Sequence, residues 1–488
     1  MKKTLALLLA LLTVGASFVA CGDKTPDAMT SGETTTAATE PAVTEETPDL
    51  PDPASVDIAG EFNILVSGNY ARNDFAAEGM DGTAVEQAIY RRNQVMKETW
   101  GVDIKNEDIT RFGSAGGTGD GYTKIYTDYM AGDANYDAAM IGTYDVATLA
   151  YSGYIHDLCD IPHIDLTKSW WDKRANDSLA VRGVMFFTTG ELTVSDNNVA
   201  FVILFNKDLR KAYDLDDPYQ LVYDGEWTLD TFGALCKTVT EDLDQSGTMD
   251  ANDRFGLLVW DDSVVGIVNA AGQRCCTIAE DGTIGLTLYN ETTLAALDKY
   301  FSIIYDTQYA LTYQREKVDP LEMWQADKGL FWMNIMDRIP QLRGMESDFG
   351  ILPYPKYEAT QADYGHLVSA WHAEFLCIPQ NVNSLERSGY VTELLAYQGK
   401  KLLTPAYYEK TLVGQYTRDE ESADMLDIIF ATRVFDVGIY YNIGTYKNEL
   451  GRLFVNRSSI ASIYETYRSN AEATIAAINE TFSKSIGE

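Results

Sequence analysis

The twelve residues from Asp242 to Asp253 carry oxygen-bearing side chains at nearly every second position. A hard cation such as calcium takes roughly six to eight oxygens, drawn from the first, third, fifth, seventh, ninth and twelfth residues of a loop of this length. Asp242, Asp244, Ser246, Asp250 and Asp253 would supply side chains, Thr248 its carbonyl, and Gly247 the sharp turn between them. Bound Ca2+ is therefore the expected cofactor, weighed against a merely solvated acidic loop. Asp253 stands where a longer Glu closes a regulatory calcium loop, and 255–259 reads as a strand rather than a second helix. A structural clip is expected, not a sensor.

A second set of residues suits recognition rather than ion binding. The chain holds 8 Trp, 30 Tyr and 18 Phe, and Tyr70, Tyr144, Trp170, Trp171, Trp260, Trp324, Trp332 and Trp371 stand beside turn or polar residues. Flat rings cover the C–H faces of sugars while Asp, Asn and Arg bond the hydroxyls, although any single ring is more often core. Catalytic signatures are lacking. His156, His163, His366 and His372 show no zinc spacing, there is no H-E-x-x-H or G-x-S-x-G, and no local pattern singles out a pair of carboxylates among 73 acidic residues. His372, beside Trp371, reads either as close to a site or, the commoner case, as a satisfied structural histidine.

Residues 1–20 read as a targeting segment, with Lys2 and Lys3 ahead of a short apolar run and small residues before Cys21. The end of this segment resembles a bacterial lipobox, with Phe18 where Leu is usual, and implies cleavage before Cys21 and acylation (palmitate or a related chain) of that cysteine. Residues 21–57 are rich in Thr, Glu, Pro and Ala and nearly free of large apolar side chains, the composition of a disordered tether. No other run is long and apolar enough to span a bilayer. The formal net charge of −35 makes nucleic acid and anionic lipid surfaces poor partners, so membrane contact is expected through the lipid anchor alone. Six cysteines in 488 residues are too few for a disulfide scaffold; adjacent Cys275 and Cys276 read as two small core or surface residues ahead of a strained redox pair.

From residue 58 helix and strand patterns alternate. Phe62, Ile64 and Val66 mark a strand, and 82–100 a helix with Val85, Ala88, Ile89, Val95, Met96 and Trp100 on its apolar face and Arg91, Arg92 and Lys97 opposite. Strands are expected at 102–105, 138–141 and 199–205, and helices at 122–131, 146–152 and 228–240, the last capped by Thr228. The glycine-rich 113–121 lacks the ending of a phosphate loop and reads as an exposed loop. The texture is α/β.

Six segments in order then resemble the extracellular solute-binding proteins of family 1, the maltose-binding-protein-like sugar receptors of ABC importers. They are YDAAMIGTY at 136–144, LAYSGYIHDL at 149–158, VAFVILFNKDL at 199–209, KGLFW at 328–332, DFGILPYP at 348–355 and SAWHAEFLCIP at 369–379. The resemblance covers residues 58–488. It implies a two-lobed periplasmic-binding-protein-like (type II) α/β fold with an inter-lobe ligand cleft and hinge crossovers. Lobe 1 would comprise 58–197 and 369–415, and lobe 2 198–368 and 416–488. It further implies a monomer that delivers a carbohydrate to ABC transporter permease subunits at the outer face of the cell membrane.

By the same resemblance, Asn69, Tyr70, Tyr144, Asp145 and Trp371 fall on cleft loops, while Trp171, Asn197, Trp260 and Asn334 are placed by nearness to crossovers or strand ends. Stacking falls to the aromatic members and hydroxyl bonding to Asn69, Asp145, Asn197 and Asn334. Most of these positions depart from the maltose-binding pattern, so maltose itself is not implied. A non-catalytic oligosaccharide receptor is the leading expectation. A surface glycoside hydrolase is the alternative, and a calcium-dependent adhesion module ranks last because only one calcium loop is present.

Overall fold

The computed structural model describes residues 46–488 other than 69–73, 110–117, 306–308, 409–416, 457, 486 and 488. Two sheets organise it. The first contains β1 (Gly60–Ser67), β2 (Val102–Ile109), β3 (Ala138–Gly142) and, from far along the chain, β12 (Glu374–Cys377), in the order β12-β3-β1-β2. β1 runs parallel to β2 and β3, with Ile64 opposite Ala138, and β12 is antiparallel to β3. Leu65 is as deeply buried as Phe62, Ile64 and Val66. The central strand of a parallel sheet is covered on both faces, so the alternation read from the sequence becomes a continuous apolar run.

The second sheet contains β4 (Phe201–Asn206), β5 (Phe255–Val259), β8 (Ala310–Thr312), β9 (Gly329–Ile335) and β10 (Phe349–Leu352), in the order β10-β4-β9-β5-β8. β5 is parallel to β8 and β9, and β4 is antiparallel to β9 and β10. A hairpin, β6 (Cys276–Ile278) with β7 (Ile284–Leu286), stands apart from both sheets. β11 (His366–Leu367) and β13 (Arg433–Val434) pair in parallel where the chain passes between the sheets. The chain makes three such passages: before β4, after β10, and after the helix Leu385–Pro405, which packs on the helix Ala84–Trp100. The helix Glu420–Ala431 then packs on β10. Each sheet with its helices forms one lobe.

Local signals place most elements within two or three residues of expectation. The helix Ala84–Trp100 starts at a capping box, Thr83 with Glu86, and stops at Gly101, whose φ of 68° suits a residue without Cβ. The helix Leu229–Thr238 starts at Thr228 as expected and ends two residues early. Gly121, read as part of an exposed loop, is instead buried in the helix Asp120–Ala131 against Ser67 and Ile141. Arg92 is also a correction. Placed on the polar face by its type, it is fully buried, with Nη1 donating to the Leu192 carbonyl at 2.8 Å and Nη2 to that of Asp74 at 2.5 Å. Burial lowers its pKa to about 10, and those carbonyls make an interior guanidinium tolerable.

Candidate functional site

The topology decides which loops meet. β5, β8, β9 and β10 all run the same way, so their carboxyl ends share one edge of the second sheet, and in such sheets ligands bind outside that edge. A cavity of 520 Å³ opens there. β5 delivers Trp260, Asp261 and Asp262; β8 delivers Tyr313 and Gln314; β9 delivers Trp332 and Asn334, with Arg338 just beyond. Trp371 and His372 come from the return passage before β12, and Lys447 from the helix Tyr446–Asn456.

The rings differ in role. Trp260 is 7 % exposed, wedged 5.0 Å from Phe201 and 6.1 Å from the His372 ring, whereas Trp371 is 36 % exposed. The Lys447 ammonium lies 5.7 Å from the Trp371 ring centre and 2.9 Å from Asp262 Oδ1. Burial alone would lower the Lys447 pKa, but Asp262, then Tyr144 and Asp261, raise it, so the amine stays charged. His372 is the reverse case. Burial, reinforced by Lys447 and Arg338, drives its pKa to about 3, so the imidazole is neutral, with Nδ1 bonded to Ser369 Oγ at 2.7 Å.

Amide and carboxylate groups complete the polar lining. Gln314 Nε2 donates to Asp261 Oδ1 at 2.7 Å, and the Asp262 backbone N–H donates to the same oxygen at 2.9 Å. Burial first, and Asp262 second, raise the pKa of Asp261, partly offset by Lys447. Asn334 Nδ2 donates to the Tyr313 hydroxyl at 3.3 Å, and Asn334 Oδ1 accepts from the Ile335 N–H. Flat rings beside an amide, a neutral imidazole, carboxylates and two cations form a surface that stacks on apolar ring faces and bonds hydroxyls from either side.

The expected ligand-site residues divide into five groups. Trp260, Asn334 and Trp371 line this cavity. Tyr144 is 2 % exposed and sits close enough to Lys447 to raise its pKa, but does not line the cavity wall. Asp145 is committed elsewhere, its Oδ1 accepting from the Gly119 N–H at 2.9 Å and its Oδ2 from that of Tyr122 at 3.3 Å, donors that the first turn of Asp120–Ala131 leaves unpaired. Trp171 and Asn197 line a separate cavity of 230 Å³ beside Asp172, Glu191, Asp196 and Arg433. Trp171 Nε1 donates to Glu393 Oε2 at 2.9 Å, with Trp170 on the other oxygen, and burial raises Glu393 to about 7. Asn69 and Tyr70 lie outside the described residues.

Residues not anticipated are Asp261, Asp262, Tyr313, Gln314, Arg338 and Lys447. The strand-end argument that selected Trp260 extends to the two aspartates that follow it. Nothing local marks Lys447, which reaches Asp262 across 185 positions of sequence.

The Asp242–Asp253 loop lies between the helix Leu229–Thr238 and β5, closed by a Glu241–Arg254 bridge. Oxygens of Asp242, Asp244 and Asp253 come within 4.8 Å of one another. Gly247, at φ 78°, donates its N–H to Asp242 Oδ2 at 2.8 Å, and the fully buried Asp253 accepts from the N–H groups of Leu243 and Asp250. Three hard-oxygen donors converge on a turned loop, about half of the six or more that a calcium ion takes. Asp250 is not part of the convergence; its Oδ1 accepts from the Asn252 N–H.

No protein-family model and no curated protein sequence matches the chain. Solved structures do. The galacto-N-biose/lacto-N-biose I-binding protein of a Bifidobacterium longum ABC transporter superposes with a TM-score of 0.58 at 11 % identity, over 86 % of this chain and 98 % of that one. The chain has the two-lobed solute-binding-protein fold. An ABC substrate-binding protein of Listeria monocytogenes in complex with cycloalternan aligns at TM-score 0.53 and 15 % identity, over 87 % of this chain and 99 % of that one. UgpB of Mycobacterium tuberculosis, in complex with glycerophosphocholine, aligns at 0.53 and 13 %, over 86 % and 99 %. The solute-binding fold thus accommodates more than one ligand class, and the lining of the cavity has to decide between them.

Proposed function

We propose that the chain is an extracytoplasmic solute-binding lipoprotein that captures a carbohydrate, of oligosaccharide size, and passes it to the permease of an ABC importer. The observation that carries this reading is the cavity beside the crossovers, where Trp260, Trp332 and Trp371 stand among Asn334, Gln314, His372 and the Asp261–Asp262 pair. Its 520 Å³ lies within the roughly 300–1,000 Å³ of small-molecule sites, room for a short oligosaccharide rather than a polymer. The structural neighbours that bind galacto-N-biose or lacto-N-biose and cycloalternan support the same class.

The protein acts by binding, without catalysis. Asp262 is engaged by Lys447 and Asp261 by Gln314, which disfavours the pair as a hydrolytic acid and nucleophile. The mature protein is a monomer tethered at the outer membrane face by acylated Cys21, and no helix among the described residues is long and apolar enough to cross a membrane. Isothermal titration against a panel of neutral di- to tetrasaccharides is expected to reveal one binding class, with no product on prolonged incubation. Absence of heat with every glycan sinks the carbohydrate reading, and product release would favour the hydrolase.

Calcium at the Asp242 loop completes the reading as a structural clip. Asp242, Asp244 and Asp253 would hold the ion, which would neutralise their mutual repulsion. Chelation is expected to lower the melting temperature of the wild type, and Asp244→Ala to remove that difference. A ligand at about a hundredfold excess over its Kd stabilises by roughly 2.7 kcal/mol, so differential scanning calorimetry resolves the effect. Identical melting curves with calcium and with chelator would reject the clip.

A further inference from the structure

The smaller cavity lies where the passages between the lobes converge. Arg433, on β13, donates through Nη1 to Asp196 Oδ2 at 2.8 Å and to Asn197 Oδ1, and through Nη2 to Asp172 Oδ2. These partners belong to different parts of the fold. Asp196 and Asn197 sit in the turn Ser195–Asn198 that leads into β4. Asp172 caps the helix Lys173–Leu179, and its segment is bound through Trp171–Gly190 and Thr188–Leu376 bridges to β12 of the first sheet. β13 itself pairs with β11 on the return passage. One guanidinium therefore ties two crossovers to the first lobe, while β13 continues from the helix on β10.

Asp172, Asp196 and Glu191 face the Arg433 guanidinium, with Thr404 bonding Glu191, Lys400 acting on it from further off, Tyr407 near Arg433, and the cations Lys173 and Arg174 on the cavity wall. Phe430 and Phe435 each lie 5.9 Å from the guanidinium. Asp196 is 2 % exposed and its Oδ1 has no hydrogen-bond partner among the described residues. We propose that Arg433 and its three carboxylates form a proton-sensitive latch on the crossovers, tight when one carboxyl is protonated and loosened when all three are charged.

Burial, opposed by Arg433 and reinforced by Asp172 and Glu191, raises Asp196 to about 7, and burial also raises Glu191. If local opening hydrates the cavity, Asp196 returns toward an ordinary carboxylate value and releases its proton. Opening is then favoured as pH rises toward 7 and becomes independent of pH above it. The crossover pairing is read directly by its amides: His366 N–H to Thr432 O, Val368 N–H to Val434 O and Ser369 N–H to Val199 O.

Hydrogen–deuterium exchange of the full chain without ligand, corrected for intrinsic rates, tests the latch independently of the carbohydrate reading. Protection of these three amides is expected to fall by up to about tenfold per pH unit between pH 5 and pH 7 and to level off above. Asp196→Asn should flatten that profile to within about twofold, and Arg433→Lys should weaken protection at every pH by losing the forked contact. A wild-type profile that is already flat, an Asp196→Asn profile identical to the wild type, or full protection in Arg433→Lys overturns the latch. Should Arg433→Lys not fold, the Asp196→Asn comparison decides alone.

Discussion

Asp262→Ala is expected to destabilise the protein by about 3–5 kcal/mol, the cost of leaving a charge buried without its partner. The side chains of Lys447 and Asp262 are only 10 % and 11 % exposed and meet at 2.9 Å, so without the carboxylate the ammonium, left with Asp261 and the cavity, regains only part of its hydration. Against a net stability of roughly 5–15 kcal/mol this is a large fraction, visible in urea unfolding. The pH dependence has a definite sign. Lys447 has its pKa raised in the folded state, so its ionisation contributes fully through neutral pH, and that contribution is lost as pH rises above the ordinary lysine value and through the raised one. The double variant Asp262→Leu with Lys447→Met should regain most of the loss, because an apolar pair has no charge to desolvate. A change below about 0.5 kcal/mol in Asp262→Ala, the range of ordinary surface substitutions, would show that the pair is not buried in solution.

Trp371→Ala is expected to have the largest effect on recognition at the least structural cost. A tryptophan at the centre of a contact commonly carries about 2 kcal/mol, which is roughly a thirtyfold rise in Kd. Trp371 is 36 % exposed, so its removal should lower the melting temperature less than loss of a fully buried tryptophan, while calorimetry with the glycan chosen by the panel shows the weakened binding. Trp260→Ala would confound the two readouts, since its ring is packed on Phe201 and next to His372. Unaltered affinity in Trp371→Ala would show that the ligand stacks elsewhere in the cavity.

The cavity and the latch occupy different parts of one mechanical system. Trp371 and His372 stand on the return passage a few residues after β11, and β11 pairs with the strand that carries Arg433. A ligand seated on Trp371 thus contacts the same passage whose pairing the latch holds. Hinge closure around a solute would act through these segments.

The chain's local chemistry was readable without coordinates. Thr228 announced a helix start through a side chain that bonds its own backbone, and the spacing of Asp242, Asp244 and Asp253 placed three carboxylates on one turn. Trp260 and Asn334 were reachable because a residue at or just past the carboxyl end of a strand faces the cleft edge. In each case the determining interactions span only a few residues.

What tertiary structure alone decided involves partners far apart in sequence. Arg92 reads as a surface residue until the carbonyls of Asp74 and Leu192 arrive to receive it, and Asp145 reads as a hydroxyl binder until Gly119 and Tyr122 present N–H groups to it. Trp171 looks equivalent to Trp260 by type, yet Glu393, 222 residues later, turns it toward a different cavity. Lys447 enters the site only because the terminal helices return to the second lobe. Side-chain type and spacing determine what a residue can bond; packing of distant segments determines which of those bonds are available, because a buried polar group must take whatever partner the fold brings within reach.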